Sequence, residues 1–462
     1  MILFRKGDHF KELKPILKLG WPVILGQLCI MATGFLDTLM AGRYSATDLA
    51  AVALGSNLIW PFYLLVAGSS MALTPMVSQL RGASQLSAIG HQVWQGLWIA
   101  AIAAIFLLLI LNNLEPIFVL MQVDPEVTRI ATEYLKAASW GVPALVVYTA
   151  FRHSCEGLGH TIPPMLIAAS IIPVNATLNY GFIYGHFGLP ELGGAGCGRA
   201  TAIVWWVQLV LMLIVINRPF FRKTTFFTSS RKPKLESVKR LFLVGQPIGL
   251  SVFLEMAIFS VISFLVAGIS VKEVAANSVA FNLNWLTFVI PMSFGTAAGI
   301  RIGFHIGARD FDLARDAATA AIQFCLAYAV VVSLLIIFWR YELVSLYTTD
   351  IEVINVAAYL MIFLAVYQIV DDTQAVALGC LRGYKDTFVP MIFGLIGYWC
   401  VALPIGHYFA HGPISALQGA AGYWTGMALG LTCVAIFATL RLSKLTDNPR
   451  KALQLATHEV KW

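Results

Sequence analysis

Long apolar stretches alternate with short charged or turn-rich gaps along the whole chain. Twelve stand out, at approximately 15–41, 49–79, 92–112, 131–155, 163–185, 194–217, 240–268, 274–300, 315–338, 351–380, 388–410 and 417–441. Roughly 20 apolar residues of helix cross a hydrocarbon layer about 30 Å thick, so each is predicted to be a transmembrane helix. Composition points the same way: of 462 residues, 58% are hydrophobic and 12% charged, where soluble domains carry about 25% charge. The fold class is therefore an all-α polytopic membrane protein, and a cytosolic enzyme is excluded. The first stretch follows a charged tail and is too long for a signal-peptide core, so no cleaved leader is expected. The seven cysteines (29, 155, 197, 325, 380, 400 and 433) lie in or at the ends of apolar runs without metal-ligand spacing, and read as small core hydrophobes.

The net charge of +7 is unevenly placed. Of 31 Lys and Arg, 24 fall in or beside the N-terminal tail, the gaps after even-numbered stretches and the C-terminal tail, whereas gaps after odd-numbered stretches hold 4. Lys and Arg in short loops stay on the cytoplasmic side, so both termini are expected there, with an even number of spans between them. The longest polar gap begins Arg218-Pro219-Phe220-Phe221-Arg222-Lys223 and carries eight of these charges up to Arg240. It reads as a solvated tether with anionic-lipid contacts, and the charge pattern as an orientation signal with no nucleic-acid footprint. The expected organisation is an N-terminal six-helix lobe (1–217), a cytoplasmic basic connector (218–239), a C-terminal six-helix lobe (240–441) and a cytoplasmic tail (442–462).

The two lobes align with each other at an offset near 225. Gly20-Trp21-Pro22 pairs with Gly245-Gln246-Pro247, Met40-Ala41-Gly42 with Val266-Ala267-Gly268, and Asp48-Leu49-Ala50-Ala51 with Glu273-Val274-Ala275-Ala276. Gly82-Ala83, Pro164-Met165 and the run Leu192–Gly196 have counterparts in Gly307-Ala308, Pro390-Met391 and Leu417–Gly422. Two six-span repeats of one topology should be related by a pseudo-twofold axis along the membrane normal, a plan characteristic of transporters, with a cleft between the bundles.

Charge at membrane depth is costly, which makes an intramembrane carboxylate a functional candidate. Glu255 lies some fifteen residues into the seventh stretch, Asp371 and Asp372 lie deep in the tenth, and Asp37 lies toward the outer end of the first. Tyr367 and Asp371, four apart, share a helix face, while Asp372 points about 100° away. No basic residue stands mid-stretch to neutralise Glu255 or Asp371, so each must be protonated, hydrogen-bonded or paired with a bound cation. A proton or Na⁺ fits both. Asn175 and Asn179, also four apart, together with Thr201, supply the oxygen ligands a small cation needs beside Asp37. Asn277, Ser278, Asn282, Asn284, Gln368 and Asp372 are further polar groups that could line the cleft.

Taken together, Gly34-Phe35-Leu36-Asp37-Thr38-Leu39-Met40-Ala41-Gly42, Pro190–Gly198, Phe253-Leu254-Glu255 and Leu381-Arg382-Gly383-Tyr384-Lys385-Asp386 make the chain similar to the multidrug and toxic compound extrusion (MATE) family, in its NorM-like bacterial branch. The resemblance runs from Pro22 to about Arg441. It implies a multi-pass protein of the bacterial cytoplasmic membrane, expected to be a monomer, that exports cationic amphipathic drugs in exchange for Na⁺ or H⁺. It further implies a second-lobe cation site at Glu255, Asp371 and Tyr367, and a first-lobe site for a cation, a proton or conformational control at Asp37, Asn175, Asn179 and Thr201. Some members carry an aspartate where this chain has Asn179, and that departure favours Na⁺ at the second lobe over proton coupling through the first. No cofactor beyond the coupling cation is implied.

A flippase for a lipid-linked precursor shares the twelve-helix plan, but should place basic residues in the cleft to meet pyrophosphate, whereas the mid-span charges here are acidic. Enzymatic motifs are missing as well: there is no His-Glu-x-x-His, no Gly-x-Ser-x-Gly and no glycine-rich phosphate loop.

Overall fold

The computed structural model describes residues 8–457, and among them there is no strand. A 3-10 turn at Asp8–Glu12 leads into α1 (Leu13–Tyr44), followed by α2 (Ala46–Met71), α3 (Leu73–Gly82) and α4 (Leu86–Leu111). The short α5 (Glu115–Leu120) precedes α6 (Pro125–Ser139), α7 (Val142–Gly157), α8 (Ile162–Tyr184) and α9 (Gly194–Ile216). The connector holds one turn, α10 (Pro219–Arg222). Next come α11 (Leu235–Ala267), α12 (Val271–Gly307), α13 (Phe311–Phe338), the short α14 (Arg340–Ser345) and α15 (Ile351–Gly383). The chain ends with α16 (Phe388–Leu395), a π-helical turn at Ile396–Ala402, α17 (Leu403–His411), α18 (Ala420–Thr446) and α19 (Pro449–Thr457).

Eleven helical segments among the described residues are long and apolar enough to cross a membrane. The fourth predicted stretch is the exception, because it is broken between α6 and α7. Pro143 sits in the first turn of α7, and at Gly141 a Cβ would come within 2.7 Å of Ala202 Cα. The close backbone approach thus falls where the chain changes helix. The stretch predicted at 49–79 is likewise two helices, divided at Ala72. In a lipid environment helix association rests on close packing of small residues. Where α12 crosses α15, a Cβ at Gly299 would lie 2.6 Å from Gly379 O, and one at Gly383 would lie 2.6 Å from Gly299 O.

The internal repeat reappears as a shared local device. Ser45 caps α2 by accepting a hydrogen bond from Asp48 N–H, and Ser270 caps α12 by accepting one from Glu273 N–H. The two carboxylates then do the same work at a distance: Asp48 accepts from Gly194 N–H at the start of α9, and Glu273 accepts from Ala420 N–H (2.9 Å) at the start of α18. Each places negative charge at a helix N-terminus, where free N–H groups and the helix dipole favour it. The residues before those helices, Gly193 (φ 55°, ψ −138°) and Gly419 (φ 77°, ψ −147°), adopt a backbone that glycine alone reaches without strain.

Packing resolves two compact units, one of 22–249 and one of 250–457 together with the described residues up to Trp21. Their boundaries fall inside α1 and α11, near Pro22 and Pro247, whereas the sequence repeat divides at the connector. The first unit is built around Val52, Val93, Tyr134, Phe151 and Trp205. Its core extends into the connector, which is not the solvated tether its charges suggest. Phe221 and Phe226 are buried, Phe226 stacks on Trp94 at 4.9 Å, and Gln95 bonds both Lys232 O (3.1 Å) and Lys234 N–H (2.8 Å). Aromatic burial and satisfied backbone groups therefore hold the segment down while its basic heads stay outside. The second unit has one core around Leu283, Tyr367, Tyr398 and Trp424 and another around Ile302, Ala321 and Leu381. Beside the latter, Arg441 forms a two-point pair with fully buried Asp386, at 2.6 and 3.2 Å.

Candidate cation sites

In the first unit, α8 aims Asn175 and Asn179 at Asp37 of α1. Their side-chain amides donate to Asp37 Oδ1 at 3.0 and 2.6 Å, and Asn179 also donates to Asn175 Oδ1 at 3.2 Å. The four-residue spacing predicts this shared face, but only packing supplies the carboxylate across it. Thr201 of α9 stands beside Asp37. Neither Thr201 Oγ1 nor Asn179 Oδ1 makes a hydrogen bond of good geometry among the described residues, although both are buried. The cluster therefore presents a carboxylate and two unsatisfied neutral oxygens, a hard-oxygen set suited to a small cation. Tyr134 of α6 completes its wall near Asp37 and Thr201. That ring is seated against Gly55, where a Cβ would approach Tyr134 Cδ1 to 2.6 Å.

In the second unit, Glu255 of α11 faces Tyr367 and Asp371 of α15. Both α15 residues are fully buried, and each interacts electrostatically with Glu255. Tyr367 Oη and Asp371 Oδ1 lie near one another, yet neither makes a hydrogen bond of good geometry among the described residues. Trp424 fixes the Tyr367 ring edge-on, with centroids 5.2 Å apart. Asp371 thus keeps an open oxygen in the region it shares with Glu255, and ionising both carboxyls together calls for a proton or cation between them.

Asp372 occupies a different environment, as its 100° offset implies. It accepts from Gln368 Nε2 at 2.7 Å, Gln368 Oε1 accepts from Thr287 at 2.9 Å, and Cys325 and Tyr328 of α13 lie beside it. Asn277 is buried and accepts from Trp424 Nε1 at 3.0 Å. Asn284 is buried with an unpartnered Oδ1 among the described residues, while Ser278 and Asn282 are exposed and bond carbonyls of their own helix. The polar groups of α12 therefore do not converge on one point.

Three contributors escape a reading of the sequence. Arg382 lies within electrostatic reach of Glu255, so a basic partner does exist for that carboxylate. The predicted helix stops at 380, but α15 continues to Gly383 and carries the guanidinium with it. Tyr398 interacts with Glu255 from the π-helical turn, and Gln374 bonds Tyr398 from α15. Neither residue type is unusual in a membrane helix, and no spacing rule links three separate helices.

The model of the MatE family matches residues 22–181 and again 247–407. A multidrug resistance protein, MdtK of Edwardsiella ictaluri, is 38% identical over 445 residues, 96% of this chain and 97% of the relative. The chain belongs to the MatE family. Its second match begins 225 residues after the first, the offset of the internal repeat, so each half carries one copy of the MatE pattern. Among solved structures, the eukaryotic MATE transporter AtDTX14 aligns with a TM-score of 0.88 at 20% identity, covering 98% of this chain and 100% of that one. A Vibrio cholerae MATE transporter, VcmN in its bent form, aligns with a TM-score of 0.85 at 19% identity, covering 96% and 99%. These likenesses establish the twelve-helix MatE fold of a multi-pass membrane protein.

Proposed function

We propose that the chain is a secondary antiporter that exports cationic amphipathic compounds from a bacterial cell in exchange for an inward cation. The observation that carries this reading is the second-unit constellation of Glu255, Asp371 and Tyr367, with buried oxygens left open. A cation or proton held there stabilises whichever conformation keeps the carboxylates together. It can drive export only by distinguishing the conformations open to the two sides of the membrane. Na⁺ is the favoured ion, because Asn179 leaves Asp37 as the one carboxylate of the first-unit cluster. That cluster serves as a secondary cation or proton site, or shapes its unit during transport. Asn277, Gln368 and Asp372 would then act near the transport path, and aromatic side chains would hold flat cationic drugs by stacking and cation–π contact. The 38% identity to a multidrug resistance protein supports this substrate class. The Lys and Arg distribution supports a cytoplasmic-membrane orientation with both termini in the cytoplasm, and the working unit of this reading is a single chain. The carboxylates beside Tyr367 disfavour a pyrophosphate-lipid flippase.

Ethidium efflux from proteoliposomes under an imposed Na⁺ gradient, and separately under a pH gradient, tests the proposal. Efflux driven by either ion supports antiport and identifies the coupling ion. No response to both would overturn it.

A further inference from the structure

Two exposed histidines, His407 and His411, lie four residues apart on one face of α17. Their ring centroids are 4.4 Å apart and their planes are tilted by 41°. Each ring has its Nδ1 engaged: His411 Nδ1 lies 3.2 Å from His407 O, and His407 Nδ1 lies 3.0 Å from the hydroxyl of Tyr423, which is buried on α18. A carbonyl oxygen only accepts, so His411 Nδ1 carries that ring's proton and its Nε2 holds a lone pair. The Tyr423 hydroxyl accepts as well as it donates, and leaves the same tautomer open to His407. We propose that the two Nε2 atoms chelate one divalent ion of the Ni²⁺, Cu²⁺ and Zn²⁺ group.

Imidazole nitrogen suits these ions, whereas Mg²⁺ and Ca²⁺ take oxygen. Two histidines at this helical spacing form half of a common zinc site. Ligating histidines also hold their orientation by donating the other ring N–H to an acceptor, and a backbone carbonyl serves as often as a carboxylate. A metal bonded at about 2.0–2.1 Å to both Nε2 atoms needs ring centroids roughly 4.5–5 Å apart, close to the spacing present. The backbone under the rings is held in place. Gly419 N–H donates to Ala410 O at 3.1 Å, Gln418 Nε2 donates to Gly412 O at 3.0 Å, and Gly422 packs so closely that a Cβ there would overlap Ala410 N. Little further ordering is therefore needed when an ion binds. Among the described residues no third His, Cys, Asp or Glu completes a metal cluster, which leaves the other coordination positions to water. The first unit lacks such a pair: at the repeat offset His186 matches His411, but Phe182 stands where His407 would. The gap 411–416 has no Lys or Arg and follows an odd-numbered stretch, so the pair faces away from the cytoplasm in the proposed orientation.

Zn²⁺ binding to the full-length protein, purified in detergent without a polyhistidine tag, is measured by isothermal titration calorimetry at one fixed, mildly alkaline pH, with Mg²⁺ as the comparison. The chain should show a saturable Zn²⁺ site and no Mg²⁺ binding there. His407→Gln and His411→Gln should each weaken the Zn²⁺ site about a hundredfold, the upper end of what loss of an outer-shell partner costs, while His186→Gln should leave it unchanged. Both histidines are exposed, so these variants should fold. Diethylpyrocarbonate labelling of the unsubstituted protein, read by peptide mass spectrometry, locates the ion without any variant: Zn²⁺ should protect His407 and His411 and leave exposed His186 reactive. Absence of saturable Zn²⁺ binding would overturn the proposal. So would binding that survives His407→Gln or His411→Gln, equal losses in all three variants, or labelling of His407 and His411 that Zn²⁺ does not change. None of these readouts involves transport, so their outcome is independent of the antiport reading.

Discussion

Replacing Asn179 by Asp would place a second carboxylate where an amide nitrogen now sits 2.6 Å from Asp37 Oδ1. At that separation two ionised oxygens repel by about 6 kcal/mol with an effective dielectric constant of about 20. Protonating an ordinary carboxylate at pH 7 costs about 4 kcal/mol. Repulsion exceeds that cost, so the Asn179→Asp protein should take up one proton, or one cation charge, more at this cluster than the unsubstituted chain does. Asn175 remains as a donor and helps hold the shared-proton state in place. The assay is ethidium efflux from proteoliposomes under an imposed pH gradient, measured across a range of internal pH. The variant should gain a proton-driven component whose pH dependence is steeper by about one proton than that of the parent protein. A pH profile identical to the parent's, from a protein with unchanged thermal stability, would refute the argument that Asp37 and residue 179 share one electrostatic site.

Glu255→Gln, nearly isosteric and unable to ionise, should abolish gradient-driven efflux while shifting the unfolding midpoint little; normal efflux would remove Glu255 from the mechanism. Arg441→Leu strands the fully buried carboxylate of Asp386 and should destabilise the protein by about 3–5 kcal/mol, seen as a lower unfolding midpoint by scanning fluorimetry, with much of the loss recovered in Asp386→Asn/Arg441→Gln. Gly419→Ala forces a Cβ onto a φ of 77° at a cost of about 1–3 kcal/mol, and crowds Glu273 where it holds the start of α18; an unchanged midpoint would contradict the assigned role of that turn.

Apolar length alone determined that this is a membrane protein of about twelve spans, because a bilayer core sets the number of residues each crossing requires. Repetition at a near-constant offset determined that the halves are copies, and the Asp48 and Glu273 devices follow that repeat down to single hydrogen bonds. The carboxylates were legible too, since their cost in an apolar stretch sets them apart, and helical spacing separated Asp371 from Asp372. What spacing and composition could not determine was which helices remote in the chain meet; the family resemblance alone grouped Asp37 with Asn179 and Glu255 with Asp371. Asp37 lies 142 positions from the Asn179 side chain that reaches it, and no periodicity carries information over that distance. Arg382 read as a loop charge because hydropathy falls before helix geometry ends. The connector read as solvated because composition counts charged heads and misses the aromatic rings buried between them. Tyr134, Gln374 and Tyr398 are common residues in common surroundings, made distinctive only by the packing of their units. Tertiary structure decided these cases because desolvation and hydrogen bonding act on atoms that are neighbours in space, and folding alone makes them so.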